Sequence, residues 1–324
     1  MSKMPTRKVR LNKVVLYGVS ISAALLVCLG GDGLQSTPLA PATPVVQGIA
    51  INPDNWQSLA DAVSARADQF GGTVGYIIKD FRSGQVASTN SDLVFPSASL
   101  IKFPILCAAF QAVEDGRMSL GTPITLQRGD RRGGSGMLKF SPVGMVYTNR
   151  ELLEAMIVHS DNTATELLVR QLGIDYLQKT FARLGLHDTV ITPEGFRLTS
   201  RHVSEDNVTS PRDMSYLLEK IYKRELVSAQ ASDEMLDILK HQKLRDRLPR
   251  FLPTGWEIAH KTGLLRKSCH DVGIVFTPKG DYLICVLTSH DLTYKTAKRF
   301  IASVGRITFD YYGRRDVLSS PRSS

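Results

Sequence analysis

The spacing of apolar positions changes character several times along the chain, and those changes outline an architecture. Past residue 50 the first repeat is helical: Trp56, Leu59, Val63 and Ala67 share one face of a helix predicted over 55–70, with Asp54 as its N-cap. The period then shortens to two over 73–80 and 85–89, which reads as two strands joined through Arg82-Ser83-Gly84 as a hairpin. Helical spacing returns over 102–114, 152–159, 162–172, 174–184, 212–225 and 233–242. A capping box from Thr148 to Glu151 opens the second of these, Ser210-Pro211 opens the fifth with proline in the first helical position, and Ser232 begins the last. Strand patterns reappear over 256–260, 271–276 and 282–289, and an amphipathic helix over 292–312 closes the series. Helix and strands at both ends of a helical block predict an α+β fold of three-layer α/β/α appearance. An antiparallel sheet is covered by the N- and C-terminal helices and stands beside an all-α lobe. A ligand groove belongs between the two.

Ahead of this domain the pattern is different. Lys3, Arg7, Lys8, Arg10 and Lys13 precede eighteen uncharged residues, 14–31, which read as a signal peptide or membrane anchor with the basic end in the cytoplasm. Eighteen residues is short for a bilayer span, which favours a signal peptide. Against cleavage, Ala40-Pro41-Ala42 lies well past the apolar run and contains proline, and Leu26-Val27-Cys28 has Val27 where a lipoprotein site wants a small residue. Anchoring is the favoured expectation. Residues 32–51, with prolines 38, 41 and 44, form a linker, so the division is anchor 1–31, linker 32–51, catalytic domain 52–313 and basic, serine-rich tail 314–324. The expected location is periplasmic or extracytoplasmic, with attachment to the inner membrane.

Composition changes this picture little, but charge excludes one class. The chain has 324 residues, 43% hydrophobic and 22% charged, which suits one catalytic unit. Of the net +9, five charges precede residue 14 and two belong to the tail, so the body is near neutral and carries no basic, aromatic-studded stripe for nucleic acid. The four cysteines, Cys28, Cys107, Cys269 and Cys285, read as inert and unbridged; a two-residue turn near Pro278 would pair Cys285 with Ile274, not Cys269. The seven histidines form no H-E-x-x-H grouping, so neither a metal nor another cofactor is implied.

Candidate chemistry starts at Ser99 and Lys102, an S-x-x-K pair. Three residues apart on a helix, the two side chains share a face, and a lysine buried among Phe103, Ile105 and Leu106 is pushed toward the neutral amine that can accept the serine proton. Roughly one such pair arises by chance in a chain this long. Ser160-Asp161-Asn162, at a break between helices, and Lys261-Thr262-Gly263, at the end of a strand, change the odds. Both triplets following S-x-x-K in order are expected in fewer than about one chain in a hundred.

These residues resemble the active-site set of the class A β-lactamases and related penicillin-binding D,D-peptidases. The similarity extends over about 52–312 and includes the Ser99 to Ser160 distance, the His260 to Gly263 context and the glycine-rich segment 133–136. It implies a β-lactamase/transpeptidase-like fold and a monomer acting on a β-lactam or a peptidoglycan stem peptide. It assigns Ser99 as acylated nucleophile, Lys102 as base and Ser160 as proton shuttle. Asn162, Lys261, Thr262 and Gly263 become substrate-binding residues. An oxyanion site is expected from the Ser99 amide and an amide of the strand after Gly263, and a charged Lys261 would help keep Lys102 neutral.

One part departs from the family pattern, the E-x-x-L-N run whose glutamate activates the deacylating water. Counting back from Pro211 reaches Glu194, but Leu198 then replaces the asparagine; aligning Arg197 and Arg201 instead leaves only Glu205. The resemblance therefore implies a serine hydrolase forming an acyl-enzyme at Ser99, with slow β-lactam hydrolysis. The alternatives are a D-Ala-D-Ala carboxypeptidase or a non-turnover penicillin-binding sensor.

Overall fold

The computed structural model describes residues 52, 55–193, 195, 206–290 and 293–314. The chain divides into units 1–48 and 49–324, and only the second contains described residues. The expected anchor and linker, like Asp54, Glu194 and Glu205, lie outside them. Among the described residues no helix is long and apolar enough to cross a membrane.

Helix α1 (Trp56–Asp68) leads into strands β1 (Thr73–Asp80), β2 (Val86–Thr89) and β3 (Phe95–Pro96), then α2 (Lys102–Glu114). The middle block holds β4 (Pro123–Thr125), β5 (Val146–Thr148), α3 (Asn149–Val158), α4 (Asn162–Leu172) and α5 (Ile174–Arg183). There follow β6 (Val208–Thr209), α6 (Pro211–Tyr222), α7 (Ala229–Lys240), β7 (Glu257–Leu265), β8 (Ser268–Phe276), β9 (Tyr282–Ser289) and α8 (Tyr294–Arg314). The main sheet runs β2-β1-β9-β8-β7, antiparallel throughout, so the two ends of the domain meet at the β1·β9 ladder. The expected α+β architecture is the observed one.

Strand β9 is buried along its whole length because both faces of the sheet are covered, as a sheet sandwiched between helices requires. Leu283, Cys285 and Leu287 join a core with Phe103, Leu106, Leu168 and Leu217 of the helical lobe. Tyr282, Ile284 and Val286 join the second core with Leu59 and Val63 of α1 and Phe300 and Val304 of α8. The period of two thus divides one strand between two cores.

Several local expectations are corrected. The side chain of Asn55, not Asp54, caps α1 by accepting the Gln57 amide, and Ser228, not Ser232, caps α7. Strands β7 and β8 pair from Glu257↔Phe276 to Leu265↔Ser268, so Lys261-Thr262-Gly263 lies inside a strand rather than at its end. Cys285 pairs with Val272, because the β8–β9 turn closes earlier than a two-residue turn at Lys279-Gly280; Gly280 N–H donates to the Thr277 carbonyl at 3.3 Å. The short ladders β3·β6 and β4·β5 carry too few residues to show a period. Cys107, Cys269 and Cys285 are buried thiols.

Truncation on either face of β9 tests the two-core reading. Leu283→Ala and Ile284→Ala each lower unfolding free energy by about 2–5 kcal/mol in urea titrations, whereas the half-exposed Val86→Ala changes it by less than about 0.5 kcal/mol.

Candidate active site

Ser99 is held by the sheet edge before it is held by a helix. Phe95 and Pro96 pair with Thr209 and Val208, the Ser97 amide donates to the Asn207 carbonyl at 2.7 Å, and Ala98 turns the chain with φ 48°. A non-glycine residue in that region is strained, which singles the turn out. Residues Ala98–Ile101 then form a 3-10 turn that feeds α2, where the sequence predicted a first α-helical turn. Its three-residue period stacks side chains at i and i+3, so Ser99 and Lys102 lie one above the other.

Lys102 is buried, and its Nζ donates to the Ser160 carbonyl at 2.6 Å, Asn162 Oδ1 at 2.7 Å and Ser160 Oγ at 3.2 Å. Lys261, fully buried on β7, donates to the same Ser160 Oγ at 3.1 Å and to the Thr262 carbonyl at 2.9 Å. One hydroxyl thus joins two lysines from opposite sides of the groove. Ser160 reaches this position because α3 ends at Val158, the backbone swings to φ 52° at Ser160, and Asp161 starts α4 as its N-cap. The Asp161 carboxylate accepts the Ala164 amide at 2.9 Å and the Leu138 amide at 2.8 Å. Gly136, at φ 98°, is required here: any Cβ would collide with the Asp161 carboxylate. Asn162 Nδ2 donates to the Gly133 carbonyl at 2.8 Å, which fixes the amide so that its oxygen faces Lys102.

Burial lowers the Lys102 pKa to about 7, with the nearby Asp161 carboxylate opposing the shift. Lys261 is pushed well below the ordinary lysine range by burial first, then by the charges of Lys102 and Arg247, against Asp271. Sequence reasoning had the Lys261 charge keeping Lys102 neutral; the effect runs the other way, with burial lowering Lys102 and the Lys102 charge adding to the effect of burial on Lys261. Two buried ammonium groups about one hydroxyl destabilise each other, so the pair favours a state with one amine. A neutral amine can accept the Ser160 proton while the other lysine donates to the same oxygen. A hydroxyl can do both at once.

Residues without a sequence signal complete the frame. His270 is paired with Gly263 across the ladder, and a Cβ on Gly263 would stand 2.8 Å from its ring. Burial lowers His270 to about 4, the Pro96 carbonyl opposing and the Arg247 charge adding to the shift. As neutral imidazole it donates Nε2–H to the Pro96 carbonyl at 2.8 Å and accepts the Thr288 amide on Nδ1 at 3.2 Å. This ties the Ser99 segment to the sheet. On the other face of β7, His260 Nδ1 lies 2.8 Å from Asp271 Oδ1.

A cavity of about 200 Å³ opens beside Ser99, Lys102 and Asn162. Arg132, Glu166, Asp206 and Leu264 line it as well, and Arg132 is paired with Glu166 at 2.8 Å. Ser160, Lys261, Thr262 and Gly263 stand behind this wall rather than on it; all four are buried. Among the described residues no cluster of three or more His, Cys, Asp or Glu side chains is arranged for a metal ion.

A model of the beta-lactamase enzyme family matches residues 58–312. Beta-lactamase VEB-1 of Pseudomonas aeruginosa is 24% identical over 259 residues, 74% of this chain and 85% of the relative. A β-lactamase of Bacillus licheniformis is 27% identical over 249 residues, 72% and 76% of the two chains. Among solved structures, a β-lactamase from Sphaerobacter thermophilus aligns with TM-score 0.73 and 29% identity over 82% of this chain and 100% of that one. PBP-A aligns with TM-score 0.73 and 31% identity over 80% and 97%. A substituted form of PBP-A was solved as an acyl-enzyme complex with penicillin G.

The Lys102 shift makes a pH prediction whose sign is fixed. Only neutral Lys102 can accept the Ser99 proton, so sulfonylation of Ser99 by a small sulfonyl fluoride, followed by intact mass, speeds up as pH rises through about 7. Below that value the rate falls about tenfold per pH unit, and Lys102→Arg, which stays charged, lowers it by about 10²-fold or more at every pH.

Proposed function

The chain belongs to the β-lactamase enzyme family and is a serine hydrolase; from that premise we propose that β-lactams acylate Ser99 and are then released slowly. The bridging of Ser160 Oγ by Lys102 at 3.2 Å and Lys261 at 3.1 Å, next to Ser99, is the observation that carries this reading. Neutral Lys102 takes the Ser99 proton as Oγ attacks the lactam carbonyl. Opening of the ring breaks its C–N bond, and Ser160 delivers a proton to the nitrogen, replaced through the lysines on either side. The developing oxyanion is received by the Ser99 amide and the amide of Leu264, which follows Gly263 on β7 and lines the cavity. Strand β7 is the edge of the sheet, so its outer backbone groups face the Ser99 turn and not another strand.

Asn162 orients the substrate amide, and Lys261 and Thr262, with Ser160 and the close approach allowed by Gly263, attract the substrate carboxylate. Both side chains are buried behind the residues that line the cavity, Leu264 and Leu265 among them. Slow release follows from the missing E-x-x-L-N run. The same absence, with the likeness to PBP-A, favours a second reading: a D,D-peptidase acting on D-Ala-D-Ala stem peptides through the same residues. One chain supplies the whole set, which supports a monomer. The basic and apolar residues of 1–31 support an exported domain held at the membrane.

The purified full-length chain, incubated with a chromogenic cephalosporin and a fluorescent penicillin, decides between these. Repeated turnover of the cephalosporin is the expected result. A stoichiometric label that persists, and is lost in Ser99→Ala, supports the peptidase reading. Absence of any label on Ser99 overturns acylation.

A further inference from the structure

With Glu194 and Glu205 outside the described residues, two carboxylates stand on the cavity that also exposes Ser99 and Lys102: Glu166 and Asp206. Their situations differ. Glu166 is engaged by the Arg132 guanidinium at 2.8 Å, which fixes its orientation. Asp206 has one carboxylate oxygen, Oδ2, buried and without a hydrogen-bond partner. A buried acceptor left unpaired costs free energy, and its position on the cavity that also exposes Ser99 gives it room to be met by an ordered water.

The backbone that follows Asp206 places it there. In the β3·β6 ladder Phe95 faces Thr209 and Pro96 faces Val208, and the Ser97 amide donates to the Asn207 carbonyl at 2.7 Å. One step further in the same antiparallel register, Asp206 comes level with Ala98, the residue before Ser99. The Asn207 side chain anchors the strand end by accepting the Thr192 amide at 2.8 Å. The carboxylate is therefore tethered by the same ladder that places the nucleophile, and burial raises its pKa from the ordinary aspartate value, the direction that favours a base.

We propose that Asp206 activates the water that releases the acyl group from Ser99, taking the part for which the sequence offers no E-x-x-L-N glutamate. In this step the water oxygen bonds to the acyl carbon and the carbon–Oγ bond of Ser99 breaks. The water proton passes to Asp206 and from there to Ser99 Oγ, so that the free acid and the starting enzyme are regenerated. The inference rests on acylation of Ser99, and the two fail differently.

The test uses full-length protein labelled with a fluorescent penicillin, with acylation and release followed separately by time-resolved intact mass. Asp206→Asn is expected to acylate within about twofold of the wild type and to release about 10²-fold more slowly or worse. In Asp206→Ala, added sodium formate is expected to restore release, a recovery that lost packing would not show. Release from Asp206→Asn within about threefold of the wild type overturns the proposal. So does a wild-type label that never leaves, or release in Asp206→Ala that formate does not accelerate; should Asp206→Asn fail to fold, this last comparison decides. Failure of the wild type to label at all overturns instead the acylation on which the proposal rests.

Discussion

The Ser160 hydroxyl, within 3.2 Å of two buried lysine nitrogens, is the interaction on which the rest of the structure depends. Two ammonium groups taken out of water and set about one oxygen repel each other, and each loses hydration. Sharing fewer protons relieves both costs. Burial brings Lys102, beside Ser99, down to about 7, and the Lys102 charge lowers Lys261 further than burial does on its own. A neutral amine in that place has the lone pair that proton transfer from a serine needs in the absence of a histidine.

Such an arrangement destabilises the fold locally and persists only because the surroundings over-determine it. Ser160 and Ala98 both take positive φ, at 52° and 48°, at the two points where the helical lobe and the sheet edge present their groups. Asp161, held by two amides and packed against Gly136, fixes the first. His270, neutral and bonded to the Pro96 carbonyl, fixes the second together with the β3·β6 ladder. The two hydrophobic cores on either face of β9 then hold lobe and sheet in register.

Most of this was legible in order but not in depth. The period changes revealed the main helices and strands, because each carries enough residues to show its buried face. The three motifs, through the family they resemble, singled out Ser99, Lys102, Ser160 and Lys261, and the structure brings these together. What escaped was set by contacts distant in sequence. Two-residue strands have no measurable period, so the ladder that carries Asp206 to Ser99 left no signal. His270 looked like any strand histidine until Gly263 was seen opposite it. The extent of β7 was underestimated because Lys261 and Thr262 are polar, and the Ser160 hydroxyl with the Thr262 carbonyl accounts for a lysine inside a buried strand.

The claim that burial leaves a neutral lysine beside Ser99 can be observed without any substrate. With 13C-labelled lysine side chains, and Lys102→Met and Lys261→Met used to assign the two signals, an NMR titration reports each protonation state directly. The account predicts one lysine titrating near pH 7 and assigned to Lys102, with Lys261 also far below 10.5 and shifted upward when Lys102 is removed. Both lysines titrating close to 10.5, independently of one another, would contradict it.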